Sequence, residues 1–290
     1  MNRVLIFIIL PFLILLLVSY FQPAHAANLY GSDKDLAGIA ESNPEIYQQM
    51  IDAGAKLLIM KEQKPFIVYW IPEGFYGLSK RRILVVMHGN NGNAYRHLSN
   101  FLDMAKKHRF GILSVQWGWP TEKRTLKDKP QYRYIRDSLK TYDLIKAGLT
   151  YLDNRYTITQ GECAWLGFSR SSTQCVVFAH LDKNKGKKYF TLFIATSGGI
   201  GRKLPIMREL LSRKHGDKPL TGQHFYLWGG KQDRSHGENM RQSQPIIEGL
   251  GGKVDILRIG KEGHGGFNHN RQYQEEAWAL WDSLCFEEKK

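Results

Sequence analysis

The sequence is poor in cysteine and lacks the clustered motifs that typically bind metals. It has three cysteines among 290 residues, and it contains neither a Cys-x-x-Cys nor a His-Glu-x-x-His motif. Structural zinc sites depend on such clusters, and small disulfide-rich domains need many more cysteines. We therefore expect no metal and no organic cofactor. Cys163 and Cys175 lie in apolar segments, and we expect them to act as small core residues.

Acidic residues are also scarce relative to basic ones. The chain has 27 acidic and 41 basic residues, which gives a net charge of +14 at pH 7. A basic surface can attract nucleic acid, anionic lipid or acidic polymers. Here the basic residues are scattered through predicted loops and form no helix-long stripe with interleaved aromatic residues. We therefore predict a solvated cationic surface and no nucleic-acid site.

Internal repeats, low-complexity linkers and any inserted block large enough for a separate lid domain are missing as well. Hydrophobic residues make up 42% of the chain and charged residues 23%, a composition typical of globular proteins. A chain of this length can bury a substantial core. We expect residues 27–290 to form a single domain.

The first 26 residues have the pattern of a secretory signal. Eighteen almost wholly apolar residues, 4–21, follow Arg3, and Ala24-His25-Ala26 fits the small-x-small pattern of a cleavage site. We predict cleavage after Ala26 and export to the periplasm or the medium. The alternative is an uncleaved membrane anchor, because eighteen apolar residues can just span a bilayer. Pro11 and the alanine-rich end favour cleavage.

The remaining chain alternates between strand and helix patterns. Two short apolar runs, residues 56–60 and 65–71, predict an antiparallel pair. Further apolar runs predict strands at 83–87, 112–117, 163–166, 189–195, 225–228 and 254–259, and helical spacing predicts helices at 94–107, 134–152, 206–213, 242–250 and 272–284. This alternation predicts an α/β fold with a mainly parallel twisted sheet, helices on both faces and no large lid. Residues 120–131 form the longest predicted loop and are a candidate flap.

The stretch from Glu162 to His180 contains the most informative motif. In it, the residues from Gly167 to Ser171 join an apolar strand to a buried helix. Small residues two positions before and two after Ser169 permit a sharp turn, which lifts the hydroxyl above the strand ends. Such a pattern is common by chance, so a catalytic role requires partners elsewhere in the chain.

Two other predicted strand ends supply those partners. In a parallel sheet the carboxyl ends of the strands surround one crevice. His264, between glycines after the last strand, can accept the proton of Ser169. Asp233, after the preceding strand, can fix the orientation of that imidazole. The order along the chain is Ser, Asp, His, and each gap accommodates whole strand–helix units.

A fourth strand end offers a site for a developing negative charge. The glycine-rich turn from His88 to Gly92 follows the strand at 83–87. We expect the backbone N–H of Asn90, or less favourably Asn91, to bind the oxyanion of a tetrahedral intermediate together with the N–H of Arg170.

Two tryptophans at a further strand end are candidate substrate-binding residues. Trp117 and Trp119 could wall an acyl or aryl pocket, or they could simply pack. The side chain of Arg170 could meet an anionic substrate or pair with an acid.

Other residues of the same types receive non-catalytic interpretations. Ser171 and Ser172 fall in the first helical turn, where they are expected to cap or pack, and Ser197 is expected in a turn. Glu262 is a modest rival to Asp233. The remaining candidates are read as structural or surface groups: His88, His180, His224, His236, His269, Asp217 and Asp255.

The four motifs together resemble the α/β-hydrolase superfamily, and within it the small lidless serine esterases similar to the dienelactone-hydrolase and polyhydroxybutyrate-depolymerase-like groups. The resemblance covers roughly residue 56 to the C-terminus. It departs at Ser171, where the family more often has glycine, and we expect a slightly tighter turn there. The resemblance implies acyl transfer, in which Ser169 attacks a carbonyl, His264 shuttles the proton and water releases the acyl group.

These observations predict an exported serine hydrolase that cleaves small-molecule or polymeric carboxylic esters. A peptidase or amidase of the same fold is the first alternative. The second is a non-catalytic protein of this fold that binds an anionic polymer or surface. The intact Ser-Asp-His set argues against the second alternative, because a binding module has no need of all three residues.

Overall fold

The computed structural model describes residue 40 and residues 43–59, 66–90, 92–117, 137–233 and 236–287. The predicted signal segment, the predicted flap, Asn91 and Trp119 lie outside these ranges. No helix within them is long and apolar enough to cross a membrane.

The described strands form one sheet at the centre of the molecule. They are β1 (Lys56–Ile59), β2 (Phe66–Trp70), β3 (Ile83–Met87), β4 (Gly111–Gln116), β5 (Cys163–Phe168), β6 (Phe190–Thr196), β7 (His224–Gly230) and β8 (Lys253–Gly260). Their order in the sheet is β1-β2-β4-β3-β5-β6-β7-β8. Strands β3 to β8 are parallel. The predicted antiparallel pair, β1 and β2, is confirmed, and β2 also runs antiparallel to β4.

Helices cover both faces of the sheet, as predicted. They are α1 (Pro44–Asp52), α2 (Ala94–Ser99), α3 (Leu102–His108), α4 (Ser138–Tyr156), α5 (Cys175–Asn184), α6 (Pro205–Leu211), α7 (His236–Gly249), α8 (Gly266–His269) and α9 (Arg271–Glu287). Strand β3 connects the two resulting cores, because successive side chains of a strand point to opposite faces. Val85 packs in a cluster with α4 and α5, whereas Val86 packs in a cluster with α2, α3 and α9.

Two predicted helices differ from the observed ones. The helix expected at 94–107 is divided into α2 and α3. At the break, the carbonyl of Asn100 accepts a hydrogen bond from the side chain of Gln274 at 3.2 Å, so the chain has a partner outside the helix. Helix α7 begins at His236, before the predicted start, because Gly237 in its first turn weakens the helical pattern.

The three cysteines are buried and form no disulfide, which confirms the assignment of Cys163 and Cys175 to the core. Strand β5 extends two residues beyond its predicted end, so it delivers the chain directly to Ser169.

Candidate active site

Ser169 lies at a strained turn at the carboxyl end of β5. Its backbone has φ = 55°, a left-handed conformation that non-glycine residues rarely adopt. The turn is also tight. A Cβ atom placed on Gly167 would lie 2.9 Å from the backbone of Ser171, so the position two before Ser169 has room for glycine alone. The backbone N–H of Ser169 donates to the carbonyl of Thr196 at 2.8 Å, which ties the turn to β6. Strain held in this way is typical of functional sites.

The structure brings Ser169, His264 and Asp233 into one hydrogen-bonded chain. His264 Nδ1 lies 2.6 Å from Asp233 Oδ2, and His264 Nε2 lies 2.9 Å from Ser169 Oγ. Because a carboxylate only accepts hydrogen bonds, Nδ1 carries the proton and Nε2 is free to accept from the serine hydroxyl. Asp233 is 9% exposed and His264 is 41% exposed, so the imidazole is reachable while the acid is shielded.

The loop that carries His264 is held from two sides. Gly265 has φ = 85°, and its N–H donates to the buried hydroxyl of Ser197 at 3.3 Å. The side chain of Glu262 accepts hydrogen bonds from Tyr273 at 2.8 Å and from Asn270 at 3.0 Å. Glu262 is thus committed to holding the loop, and Asp233 is the acid that reaches His264.

A second imidazole contacts Asp233. His236 Nδ1 lies 2.7 Å from Asp233 Oδ1, the oxygen that His264 does not use. From the sequence, His236 is expected to be a surface residue or one that supports the catalytic groups without reaching Ser169, because no strand aims it at Ser169. The signal that could have identified it is its position three residues after Asp233, at the start of α7. A side chain there folds back onto the preceding turn.

The same three residues form a group that could hold a metal ion. In the described part of the chain, ligand atoms of Asp233, His236 and His264 lie within 4.8 Å of one another. Both imidazoles can donate Nδ1–H to the carboxylate, so the group is satisfied by its own hydrogen bonds. We interpret the group as a hydrogen-bond network in which Asp233 keeps the proton of each imidazole on Nδ1.

The two predicted oxyanion donors belong to segments next to the serine turn: Asn90 follows Gly89, where an added Cβ atom would lie 2.9 Å from the Cβ of Ser169. Asn90 lies in an exposed turn after β3 and lines the same cleft as His264. Arg170 follows Ser169 directly. Among the described residues, neither backbone N–H donates to a protein acceptor. Two unused donors beside a nucleophile are what a tetrahedral oxyanion requires.

The loop beneath Asn90 is buried and tied to the serine turn. The His88 carbonyl accepts from Ser171 Oγ at 2.5 Å and from Trp117 Nε1 at 2.8 Å. The His88 imidazole donates from Nδ1 to the Gly89 carbonyl at 2.7 Å. Burial lowers the pKa of His88 to about 4, so the ring is neutral at pH 7. His88 therefore holds the loop, as expected.

Trp117 occupies a different place from the one predicted. Its indole is 4% exposed and stacks on the His88 ring, with ring centroids 4.9 Å apart. It lines neither the cleft that contains His264 nor the cleft that contains Arg170. The prediction that Trp117 walls a substrate pocket is therefore corrected: the residue packs beneath the loop, because its N–H finds a buried carbonyl there.

The two sequence neighbours of Ser169 line two different clefts: Phe168 lines one and Arg170 lines the other. The polar cleft has a volume of about 260 Å³ and lies between Asn90, His97, Phe168, His264 and Asn268. The second, which we call the cationic cleft, has a volume of about 420 Å³. Its lining includes Arg170, Arg202, Lys203, Asn239 and Gln242.

Comparison with known proteins identifies the fold. No family model matches the chain, and no curated protein matches its sequence. Among solved structures, an esterase from Rhizomucor miehei aligns with a TM-score of 0.54 and 16% identity, over 86% of this chain and 90% of that one. The hyperthermophilic esterase from Pyrobaculum calidifontis aligns with a TM-score of 0.55 and 12% identity, over 89% of this chain and 93% of that one. Esterase LipW from Mycobacterium marinum aligns with a TM-score of 0.55 and 13% identity, over 86% of this chain and 88% of that one. The chain therefore has the α/β-hydrolase fold of these esterases.

Proposed function

We propose that the protein is a serine hydrolase that cleaves carboxylic esters through an acyl-enzyme. The observation that carries the proposal is the continuous chain of contacts from Asp233 through His264 to Ser169, at 2.6 and 2.9 Å. A serine hydroxyl is a weak nucleophile at neutral pH and needs a base within hydrogen-bond reach. His264 has its acceptor nitrogen in that position.

The reaction then follows from the positions of these groups. Ser169 Oγ attacks the ester carbonyl carbon while His264 Nε2 takes its proton, and Asp233 stabilises the resulting imidazolium. The negative oxygen of the tetrahedral intermediate accepts from the N–H groups of Asn90 and Arg170. His264 then protonates the departing alcohol. Water, deprotonated by His264 in turn, attacks the acyl-enzyme and releases the acid.

Labelling with a fluorophosphonate tests the nucleophile. Such a reagent phosphonylates an activated serine, and peptide mapping should place the adduct on Ser169 alone. Ser169→Ala and His264→Ala should each lower turnover of a soluble ester by about 10⁴ or more, as for other catalytic triads. An adduct on another residue, or less than about a tenfold loss in both variants, would overturn the proposal. A matched anilide measured beside the ester separates esterase from amidase activity.

We also propose that the protein is exported after cleavage behind Ala26. The support is the apolar run at residues 4–21 and the small-x-small pattern that follows it. N-terminal sequencing of protein from the exported fraction should begin at Ala27. Recovery of full-length chain in the membrane fraction would instead favour an anchor.

A further inference from the structure

The cationic cleft begins one residue from the nucleophile. Arg170, which follows Ser169, forms part of its lining. Gly198, which also lines the cleft, packs so closely on the serine turn that a Cβ atom there would lie 2.2 Å from the carbonyl oxygen of Ser169. The same short backbone segment, Ser169 and Arg170, therefore carries the reacting hydroxyl and forms part of the cleft. A group bound in the cleft can belong to the same molecule as an ester bound at Ser169.

The charged groups among the described residues that line this cleft are all positive. Among the described residues, Arg170, Arg202 and Lys203 form no ion pair and donate no side-chain hydrogen bond. Some exposed cations elsewhere are paired. Lys214 lies 2.7 Å from Glu209, and Arg241 lies 3.5 Å from Glu238. Others, such as Lys106 and Lys218, form no ion pair with a described residue. The cleft therefore differs from the rest of the surface in the clustering of three such cations next to Ser169.

The polar lining adds neutral donors to these charges. The amide side chains of Asn239 and Gln242 line the cleft beside the cations, and none of the described residues that line it is acidic. Guanidinium groups match the two oxygens of a carboxylate in a bidentate geometry. Two arginines, a lysine and two amides around about 420 Å³ favour a negatively charged group of modest size.

From this arrangement we propose that the cationic cleft is a substrate subsite for a carboxylate, and that the preferred esters carry a free carboxylate near the scissile bond. This inference rests on the proposed function, because it assigns the substrate class of the same site. The carboxylate stays unchanged during the reaction. Its role is to hold the ester at Ser169, so it should lower KM more than it raises kcat.

Paired substrates test the proposal directly. One pair places the charge on the alcohol side: 4-acetoxybenzoate and 4-acetoxybenzamide. The other places it on the acyl side: the 4-nitrophenyl monoesters of adipic acid and of adipamic acid. In at least one pair, kcat/KM should be about tenfold higher for the carboxylate than for the amide at low ionic strength, and high salt should reduce that ratio. Equal values in both pairs would overturn the proposal.

Charge substitution should remove the preference. The variant with Arg202→Gln and Lys203→Gln should lose most of the carboxylate-to-amide ratio, mainly through KM, and should hydrolyse the amide substrate within about twofold of the parent protein. The matched control carries Lys106→Gln and Lys218→Gln, two exposed residues outside the cleft. It loses the same charge and should keep the ratio. An equal fall in both variants would attribute the effect to net charge and contradict a subsite.

A binding measurement separates this inference from the proposed function. In Ser169→Ala protein, 4-acetoxybenzoate should bind in isothermal titration calorimetry, whereas 4-acetoxybenzamide should bind about tenfold more weakly. Adding Arg202→Glu and Lys203→Glu should abolish the difference. If the fluorophosphonate label fails but this binding holds, the esterase proposal falls and the carboxylate site stands. If the label is found on Ser169 but no such binding occurs, the subsite falls and the esterase stands.

Discussion

His236 Nδ1 lies 2.7 Å from Asp233 Oδ1. The other carboxylate oxygen accepts from His264 at 2.6 Å, so both oxygens of this shielded acid are engaged by imidazoles. A carboxylate held at one oxygen can rotate about its last side-chain bond, but one held at both oxygens cannot. His236 is therefore a positioning residue: it fixes the plane in which Asp233 meets His264.

Replacing His236 separates this role from simple packing. His236→Leu removes the donor and should lower kcat by about three- to tenfold with little change in KM, because Asp233 loses a hydrogen bond to a charged group. In His236→Asn the side-chain amide nitrogen can take the place of Nδ1, so this variant should recover most of kcat. Steady-state kinetics on a neutral ester gives both constants. Equal kcat in the Leu and Asn variants would contradict the role of the hydrogen bond.

Gly167 is the position where the serine turn has no room for a side chain. A Cβ atom would lie 2.3 Å from the Trp165 ring and 2.9 Å from the Ser171 backbone. Gly167→Ala should therefore lower the free energy of unfolding by about 3 kcal/mol and should displace Ser169, with loss of fluorophosphonate labelling. Urea titration and labelling measure the two effects.

Gly249 provides the matched control. It lies at the end of helix α7, and a Cβ atom there would meet nothing within 4 Å. Gly249→Ala should leave labelling intact and raise the free energy of unfolding by up to about 1 kcal/mol, because alanine loses less backbone entropy in a helix. Similar losses in the two alanine variants would show that the close contact at Gly167 does not govern stability.

The sheet and the main contacts at Ser169 could be predicted because each depends on local patterns. Apolar runs without alternation mark strands buried on both faces, and β3 follows that rule. Asp233 and His264 follow strands in the order the fold requires, so their meeting with Ser169 follows from topology. The start of α7 could not be predicted, because glycine in its first turn weakens the pattern on which helix prediction depends.

The role of Trp117 could not be predicted, and the choice between a surface and a supporting role for His236 could not be made, for a different reason. Both depend on side-chain direction at a loop, which no periodicity determines. Trp117 ends a strand that faces the crevice, yet a buried carbonyl on His88 captures its N–H at 2.8 Å. His236 has no strand behind it, yet the first turn of a helix folds it onto Asp233. In both cases a hydrogen bond between segments determines the outcome.

Ser171 is the position where the serine turn departs from the glycine more common in the resembled family. Its buried hydroxyl donates to the His88 carbonyl at 2.5 Å, which joins the turn to the loop of Asn90. Ser171→Ala should lower the free energy of unfolding by about 1 kcal/mol, the usual contribution of one hydrogen bond. Ser171→Gly should lower it by about 1 kcal/mol more, because glycine gains backbone freedom in the unfolded chain. Urea titration checks this order, and a glycine variant as stable as the parent would refute it.

His97 is a buried histidine that destabilises the fold in acid. It is 4% exposed, and its Nε2 atom has no hydrogen-bond partner among the described residues. Burial, with smaller contributions from His88 and His269, lowers its pKa to about 3, whereas the ordinary value is 6.5. Above pH 6.5 the ring is neutral in the folded and the unfolded chain. Below that pH the unfolded chain takes up a proton that the folded chain does not, so stability falls.

Removing the imidazole should remove this part of the acid sensitivity. Between pH 7.5 and 4.5, His97 should account for about 3 kcal/mol of the loss in the free energy of unfolding. His97→Leu, which keeps a similar side-chain volume, should therefore lose about 3 kcal/mol less than the parent over that range, whatever its stability at pH 7.5. Urea titrations at both pH values measure the difference. Equal losses in the free energy of unfolding of the parent and of His97→Leu would contradict the prediction. They would mean that the polar cleft solvates the His97 ring and that the ring is charged in the folded chain.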